Sequence, residues 1–131
     1  MLTVLATGAT GLVGSRFVEM YADEYQVANM DLTTGVDITN KESIEKFVKE
    51  NSADTMIHLA AFTDTNRAHA ESGDKSGLCY QVNVEGTRNI AEVCKAHGIH
   101  LIHVSTDFVF DGKKDSPYTE DDAPTPIEWY G

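Results

Sequence analysis

The sequence predicts an α/β fold: an open parallel sheet with helices on both faces. Three observations carry this. Short apolar runs alternate with stretches of helical periodicity, giving the order βαβαβαβ. Glycines at every third position join the first run to the first helical stretch. The fourth run is almost continuously apolar, as in a parallel sheet covered on both sides.

The elements follow in order. TVLA (3 to 6) is a short apolar strand, and LVGSRFVEMY (12 to 21) spaces Leu12, Val13, Phe17 and Met20 for a helix. QVANM (26 to 30) is a second strand, stopped by Asp31 and a Thr-Thr-Gly turn. Thr39 and Glu42 read as a capping box, after which Ile44, Phe47 and Val48 form one apolar stripe to about Asn51. TMIHLAA (55 to 61) is the third strand. Residues 62 to 76 read as a polar loop with room for a helical turn, and a long helix runs from about Leu78 to His97, closed by Gly98. HLIHVS (100 to 105) is the fourth strand. Asp111-Gly112 then makes a turn before an acidic segment with Pro117, Pro124 and Pro126.

At 131 residues and 41% hydrophobic content the chain is sized for one domain with a buried core. A net charge of −11, spread along the chain, argues against nucleic acid and anionic membranes as partners. No apolar run approaches a membrane span or the core of a secretory signal, so a cytoplasmic location is expected. Cys79 and Cys94 fall on one predicted helix roughly 22 Å apart, beyond disulfide reach, and read as reduced core thiols. The five histidines form no metal-ligand pattern. The acids at 120 to 122 read as a solvated loop.

TGATGLVGS (7 to 15) carries the first chemical signal. Gly8 permits the tight turn, Gly11 lets a pyrophosphate approach the backbone, and Gly14 lets the helix pack close to the strand. The amides that open the helix point at the phosphates with the positive end of its dipole behind them. Asp31, at the end of the second strand, is placed to accept the ribose hydroxyls of an adenosine and to repel a 2′-phosphate. Arg16 pulls the other way, since it could pair such a phosphate. NAD is therefore favoured slightly over NADP.

Ligands of open parallel sheets bind past the carboxyl ends of the strands. The third strand ends in LAAFT, where Ala60 and Ala61 leave room for a flat group or simply fill core beneath a helix. The fourth ends in STDFVFDG, and Tyr130 follows Thr106 by twenty-four residues. A hydroxyl at that strand end and a tyrosine opening the next helix suit carbonyl reduction, in which one group polarises C=O, the phenol gives a proton and a nicotinamide supplies hydride.

TGATGLVG, LAAFT, Val82-Asn83, STDFVFDG, PYTEDDAPTP and the closing WYG stand in the same order as in the extended short-chain dehydrogenase/reductase family, which the whole chain resembles. The resemblance implies a Rossmann-type three-layer fold and an NAD(P)-dependent reductase of a 4-keto sugar nucleotide. It implies Thr106 and Tyr130 as catalytic residues. It also implies cofactor contacts at Gly8, Thr10, Gly11, Leu12, Val13, Gly14, Asp31, Asp37, Ile38, Ala60 and Ala61, with Thr63 and Asn83 as further supports. Epimerases and dehydratases of the family usually read SSxxVYG where this chain has Thr106-Asp107, which favours a reductase.

Two departures stand out. Reductases of this type commonly carry carboxylates where this chain has Asn66 and His69, and the lysine that follows the family's tyrosine would fall at position 134. The expectation is therefore an incomplete NAD(P)-binding domain over 1 to 131, without its substrate domain and inactive alone. A bare outer edge on the fourth strand would then let copies associate. A cofactor-binding regulatory subunit without catalysis, or a sugar-nucleotide epimerase or dehydratase, are the alternatives.

Overall fold

A computed structural model describes all residues from Met1 to Gly131. Four parallel strands, β1 (Leu2–Thr7), β2 (Tyr25–Asn29), β3 (Thr55–His58) and β4 (His100–His103), form one sheet in the order β2-β1-β3-β4. The order reverses between β1 and β3, which opens a crevice at their carboxyl ends. The predicted Rossmann-type architecture is thus present, with strands three and four shorter than the sequence implied: Leu59–Ala61 and Val104–Ser105 lie past the regular ladder.

Strand alternation divides the side chains into two layers. Leu5 pairs in register with Met56, and Met56 with Leu101. Leu5 and Met56 are fully buried beneath α2 (Lys41–Glu50) and α5 (Thr87–His97), which bring Ile44, Val48, Ile90, Val93 and Cys94 to the core. One residue out of phase, Val4, Ile57 and Ile102 face the other side, where α1 (Leu12–Met20) contributes Phe17. Phe17, Tyr21 and Tyr25 form an aromatic cluster between α1 and β2.

That second layer is uneven. Over β3 and β4 it leaves an apolar trough lined by Leu2, Val4, Tyr21, Ile57 and Ile102. Ile102 is 45% exposed and Val104 54% exposed. The prediction that strand four is covered on both faces therefore fails within this chain: its apolar sequence marks a surface that these residues do not themselves bury.

Local corrections have plain causes. The cap of α2 is Asn40, whose side chain accepts from the Glu42 amide, whereas Thr39 donates its hydroxyl to Asp37. The loop at 62 to 76 contains α3 (Thr65–Ala70), capped by Asp64. The long helix is not uniform: α4 (Leu78–Tyr80) passes through a π-helical segment, Gln81–Gly86, before α5. Gly86 permits this path beside the core, because a Cβ there would stand 2.8 Å from the Ile38 side chain. Gly98 ends α5 with a φ of 69°, as predicted. Cys79 and Cys94 are buried free thiols, and burial pushes both thiols up from their ordinary pKa. No helix is long and apolar enough to cross a membrane.

Candidate cofactor and catalytic site

The glycine turn is held from within. Gly8 takes a φ of 68° and its carbonyl accepts the Gly11 amide at 3.0 Å. A Cβ on Gly14 would run into the Gly8 carbonyl oxygen and stand 2.7 Å from Ala9 Cα, so only glycine lets α1 approach the turn this closely. Gly11 offers no side-chain cap to α1, leaving the amides of Leu12 and Val13 without a protein acceptor. Leu12 is 92% exposed and Val13 66% exposed. Two apolar side chains and uncapped amides at one helix start suit a ligand with a flat apolar part and anionic oxygens.

Asp31 caps the short 3₁₀ turn Leu32–Thr34 and reaches across to the glycine turn. Its carboxylate accepts from the Thr10 hydroxyl at 2.9 Å and from the Thr33 amide at 2.8 Å. Slight burial raises this carboxyl, but hydrogen bonds led by those from Thr33, then Asn29 and Thr10, outweigh it and bring its pKa to about 2. It is an ionised acceptor at every ordinary pH. Arg16 meanwhile pairs with Glu19 at 2.6 Å on the exposed face of α1.

Asp37 and Ile38 sit differently from the rest. The Asp37 carboxylate is committed to the Thr39 amide and hydroxyl, and the Ile38 side chain is core while its carbonyl accepts from Asn89. Both lie just beyond the Asp31 turn; Asp37 is exposed with its second carboxylate oxygen unbonded, whereas the Ile38 side chain is turned inward.

Past β3, Ala60 lies against the glycine turn: a Cβ on Gly8 would come 2.8 Å from the Ala60 nitrogen. Ala61 and Thr63 are exposed. Asn83, on the π-helical segment, accepts from the Phe62 amide at 2.7 Å and donates to the Phe62 carbonyl at 2.9 Å. It thereby acts as an artificial strand partner for the chain leaving β3.

Past β4, Thr106 caps the 3₁₀ turn Asp107–Val109, accepting from the Phe108 amide at 3.2 Å and lying 3.4 Å from an Asp107 carboxylate oxygen. Tyr130 meets Phe108 edge to face, with ring centroids 5.6 Å apart, and Trp129 stacks on Tyr80 of α4 at 5.9 Å. The closing strip is thus docked on Tyr80 and on Phe108, two residues past Thr106. No helical bond runs through 127 to 131, since a helix that opened at Tyr130 would draw its first backbone bonds from amides about four residues further on. A cleft of about 570 Å³ opens alongside, lined by His69, Asp107, Phe108, Tyr118, Ile127 and Glu128. Glu128 Oε1 is buried there without a partner. Of the acidic cluster, Asp122 is a loop staple, accepting from Lys114 at 2.6 Å.

Sequence reasoning missed His58. It is buried on β3, bonded to Thr7 of β1 at 2.6 Å and Thr87 of α5 at 2.9 Å, and stacked on His103. The signal was available: one imidazole inside an otherwise apolar strand needs partners from its neighbours.

Known proteins share this fold. The chain is 35% identical over its whole length to a dTDP-4-dehydrorhamnose reductase of Aggregatibacter actinomycetemcomitans, covering 44% of that protein. It superposes with a TM-score of 0.88, at 33% identity, on the crystal structure of a dTDP-4-dehydrorhamnose reductase from Bacillus anthracis in complex with NADP, covering 99% of this chain and 45% of that one. It also matches a UDP-glucose 4-epimerase of Thermus thermophilus in complex with NAD, with a TM-score of 0.82 at 26% identity over 98% of this chain and 46% of that one. The chain spans a little under half the length of these relatives. The family described as RmlD substrate binding domain matches residues 2–131, and to that family this chain belongs.

Proposed function

We propose that the chain is the NAD(P)-binding, proton-donating part of a sugar-nucleotide reductase, one that reduces a 4-keto group as in the conversion of dTDP-4-dehydrorhamnose to dTDP-L-rhamnose. One observation carries this reading: the uncapped start of α1 and the ionised Asp31 lie past the carboxyl ends of β1 and β2, and past β4 of the same parallel sheet Tyr130 packs on Phe108, two residues after Thr106. The relatives' names support the reaction class.

In this reading the amides of Leu12 and Val13 hold the pyrophosphate, and Gly8, Thr10, Gly11, Gly14, Asp37, Ile38, Ala60, Ala61, Thr63 and Asn83 shape the rest of the bed. Asp31 accepts from the adenosine ribose. A bound nicotinamide supplies hydride to the keto carbon. The Thr106 hydroxyl turns from Asp107 to donate to the keto oxygen, and the Tyr130 phenol gives its proton to that oxygen as the alcohol forms. The cleft beside Tyr118 and Glu128 receives the sugar.

NAD is the preferred dinucleotide, because the Asp31 carboxylate would face a 2′-phosphate while Arg16 is engaged by Glu19. The chain alone binds the dinucleotide without turning over substrate. Its natural setting is the longer protein, whose remaining part bears the substrate lobe.

The test is a titration of the chain with NADH and NADPH, and an assay of 4-keto reduction by the chain and by a protein of the relatives' full length. Tighter binding of NADH, and turnover in the longer protein that Tyr130→Phe abolishes, are expected. Absence of dinucleotide binding, or unchanged turnover in Tyr130→Phe, would refute the reading.

A further inference from the structure

Thr7 is the last residue of β1 and is fully buried. Its hydroxyl oxygen accepts two amides from the chain leaving β3, that of Ala60 at 3.1 Å and that of Leu59 at 3.2 Å, the latter shared with the Thr7 carbonyl oxygen at 3.2 Å. A hydroxyl has two lone-pair positions and one proton. With both acceptor positions occupied, the Thr7 O–H has one use left, and His58 Nδ1 stands 2.6 Å away to receive it. Nδ1 is then the bare nitrogen of a neutral ring and Nε2 carries the proton. Nε2 donates in turn to the Thr87 hydroxyl at 2.9 Å, where the π-helical segment gives way to α5. The remaining group on the ring is His103 of β4, stacked at 5.3 Å, and no carboxylate bonds to it.

This chain of bonds ends at the cleft. Ala60, whose amide is fixed by Thr7, is the residue whose backbone a Cβ on Gly8 would meet first. A movement of the β3 end by a few tenths of an ångström would close or open the bed on which a dinucleotide lies.

We propose that Thr7 selects the Nε2–H tautomer of His58, and that the buried Thr7–His58–Thr87 chain is a positioning device fixing the gap between the Gly8 turn and Ala60 in the cofactor cleft. The positioning half rests on the dinucleotide reading of that cleft; the tautomer half does not. Thr7 and His58 act through the backbone they hold and touch neither cofactor nor substrate.

The two halves separate experimentally. Long-range ¹⁵N–¹H spectra of the histidine rings report the His58 tautomer without any ligand, and titration with NADH reports the cleft. In the wild type, His58 is expected as a single Nε2–H tautomer. Thr7→Val removes the donor to Nδ1 and the acceptor for Ala60, leaving Leu59 only the Thr7 carbonyl, so the tautomer becomes mixed and NADH affinity falls about tenfold. Thr7→Ser keeps the hydroxyl and restores both within about twofold. If Thr7→Val does not fold, Thr87→Val and its Ser counterpart run the same comparison from the other side of the ring. An Nδ1–H tautomer in the wild type overturns the proposal. So does a Val variant with unaltered tautomer and affinity, or a Ser variant as impaired as the Val variant. A wild-type chain with the stated tautomer but no affinity for NADH overturns the positioning half and, with it, the cofactor reading.

Discussion

The two walls of the cleft are built by different means. The wall from Thr7 to Asp31 is set by regular structure: backbone register fixes β1 against β2 and β3, Gly14 locks α1 to the turn, and Thr10 ties the turn to Asp31. The wall from Val104 to Gly131 contains one 3₁₀ turn and is otherwise held by side-chain contacts and isolated loop bonds, among them Phe110 on Tyr118, Lys114 on Asp122, Phe108 on Tyr130, Trp129 on Tyr80, and the Thr125 amide on the Val109 carbonyl. The first is rigid because its bonds are numerous and cooperative. The second gains its order from side chains, which leaves Tyr130, the proposed proton donor, on the softer wall and the proposed cofactor bed on the harder one.

The sharpest way to break the first wall is Gly14→Ala. The added methyl meets backbone rather than a flexible side chain, so a loss of about 3 kcal/mol or more in denaturant stability is expected, together with loss of dinucleotide binding. A variant within 1 kcal/mol of the wild type would mean the wall is pliable after all.

Acid tests the same wall from its core. Burial, with the neighbouring His103 second, holds folded His58 at about 4, against 6.5 for the free imidazole. Between those values the unfolded chain takes up the proton and the folded one does not, so stability is intact above pH 6.5 and falls as the pH drops towards 4. The full window is worth about 3 kcal/mol as an upper figure. Urea midpoints measured across that range should show the slope, and a His58→Asn variant should lack it. Asp31 adds loss only lower down, as the pH falls from 3.8 towards about 2.

On the second wall, Phe108→Ala should cost about 1 kcal/mol of local stability by removing the edge-to-face contact, with hydrogen exchange rising across 126 to 131 while β1 to β3 stay protected. Equal loosening of both walls would erase the contrast. The smallest effect is expected at the uncovered layer: Ile102→Lys should change stability by less than about 0.5 kcal/mol and reduce self-association at high concentration, read by sedimentation.

Much of the first wall was legible beforehand. Glycine spacing, the acid at the end of the second strand and the alternation of periods depend on local stereochemistry and on a regular fold, so they survive translation from sequence to space. The second wall was read less well. Thr106 and Tyr130 were singled out by resemblance, but the packing of Tyr130 on Phe108 and of Trp129 on Tyr80 joins residues far apart in the chain or in irregular segments, which no periodicity records. The cap at Asn40 instead of Thr39 shows the limit at finer grain, for both residues can cap and only the entry angle of the chain chooses between them.

The amino-acid sequence by itself determined the order and type of the elements, the parallel sheet and the anion-seeking turn, because these follow from backbone sterics and hydrophobic period over a few residues. Only the tertiary structure decided that Thr7, His58 and Thr87, up to eighty positions apart, would share one buried line of hydrogen bonds. Only it decided that the apolar fourth strand would present one bare face. Both outcomes turn on which groups meet across strands and layers, and a buried donor or an apolar face acquires its meaning from the partner that arrives, not from its neighbours along the chain.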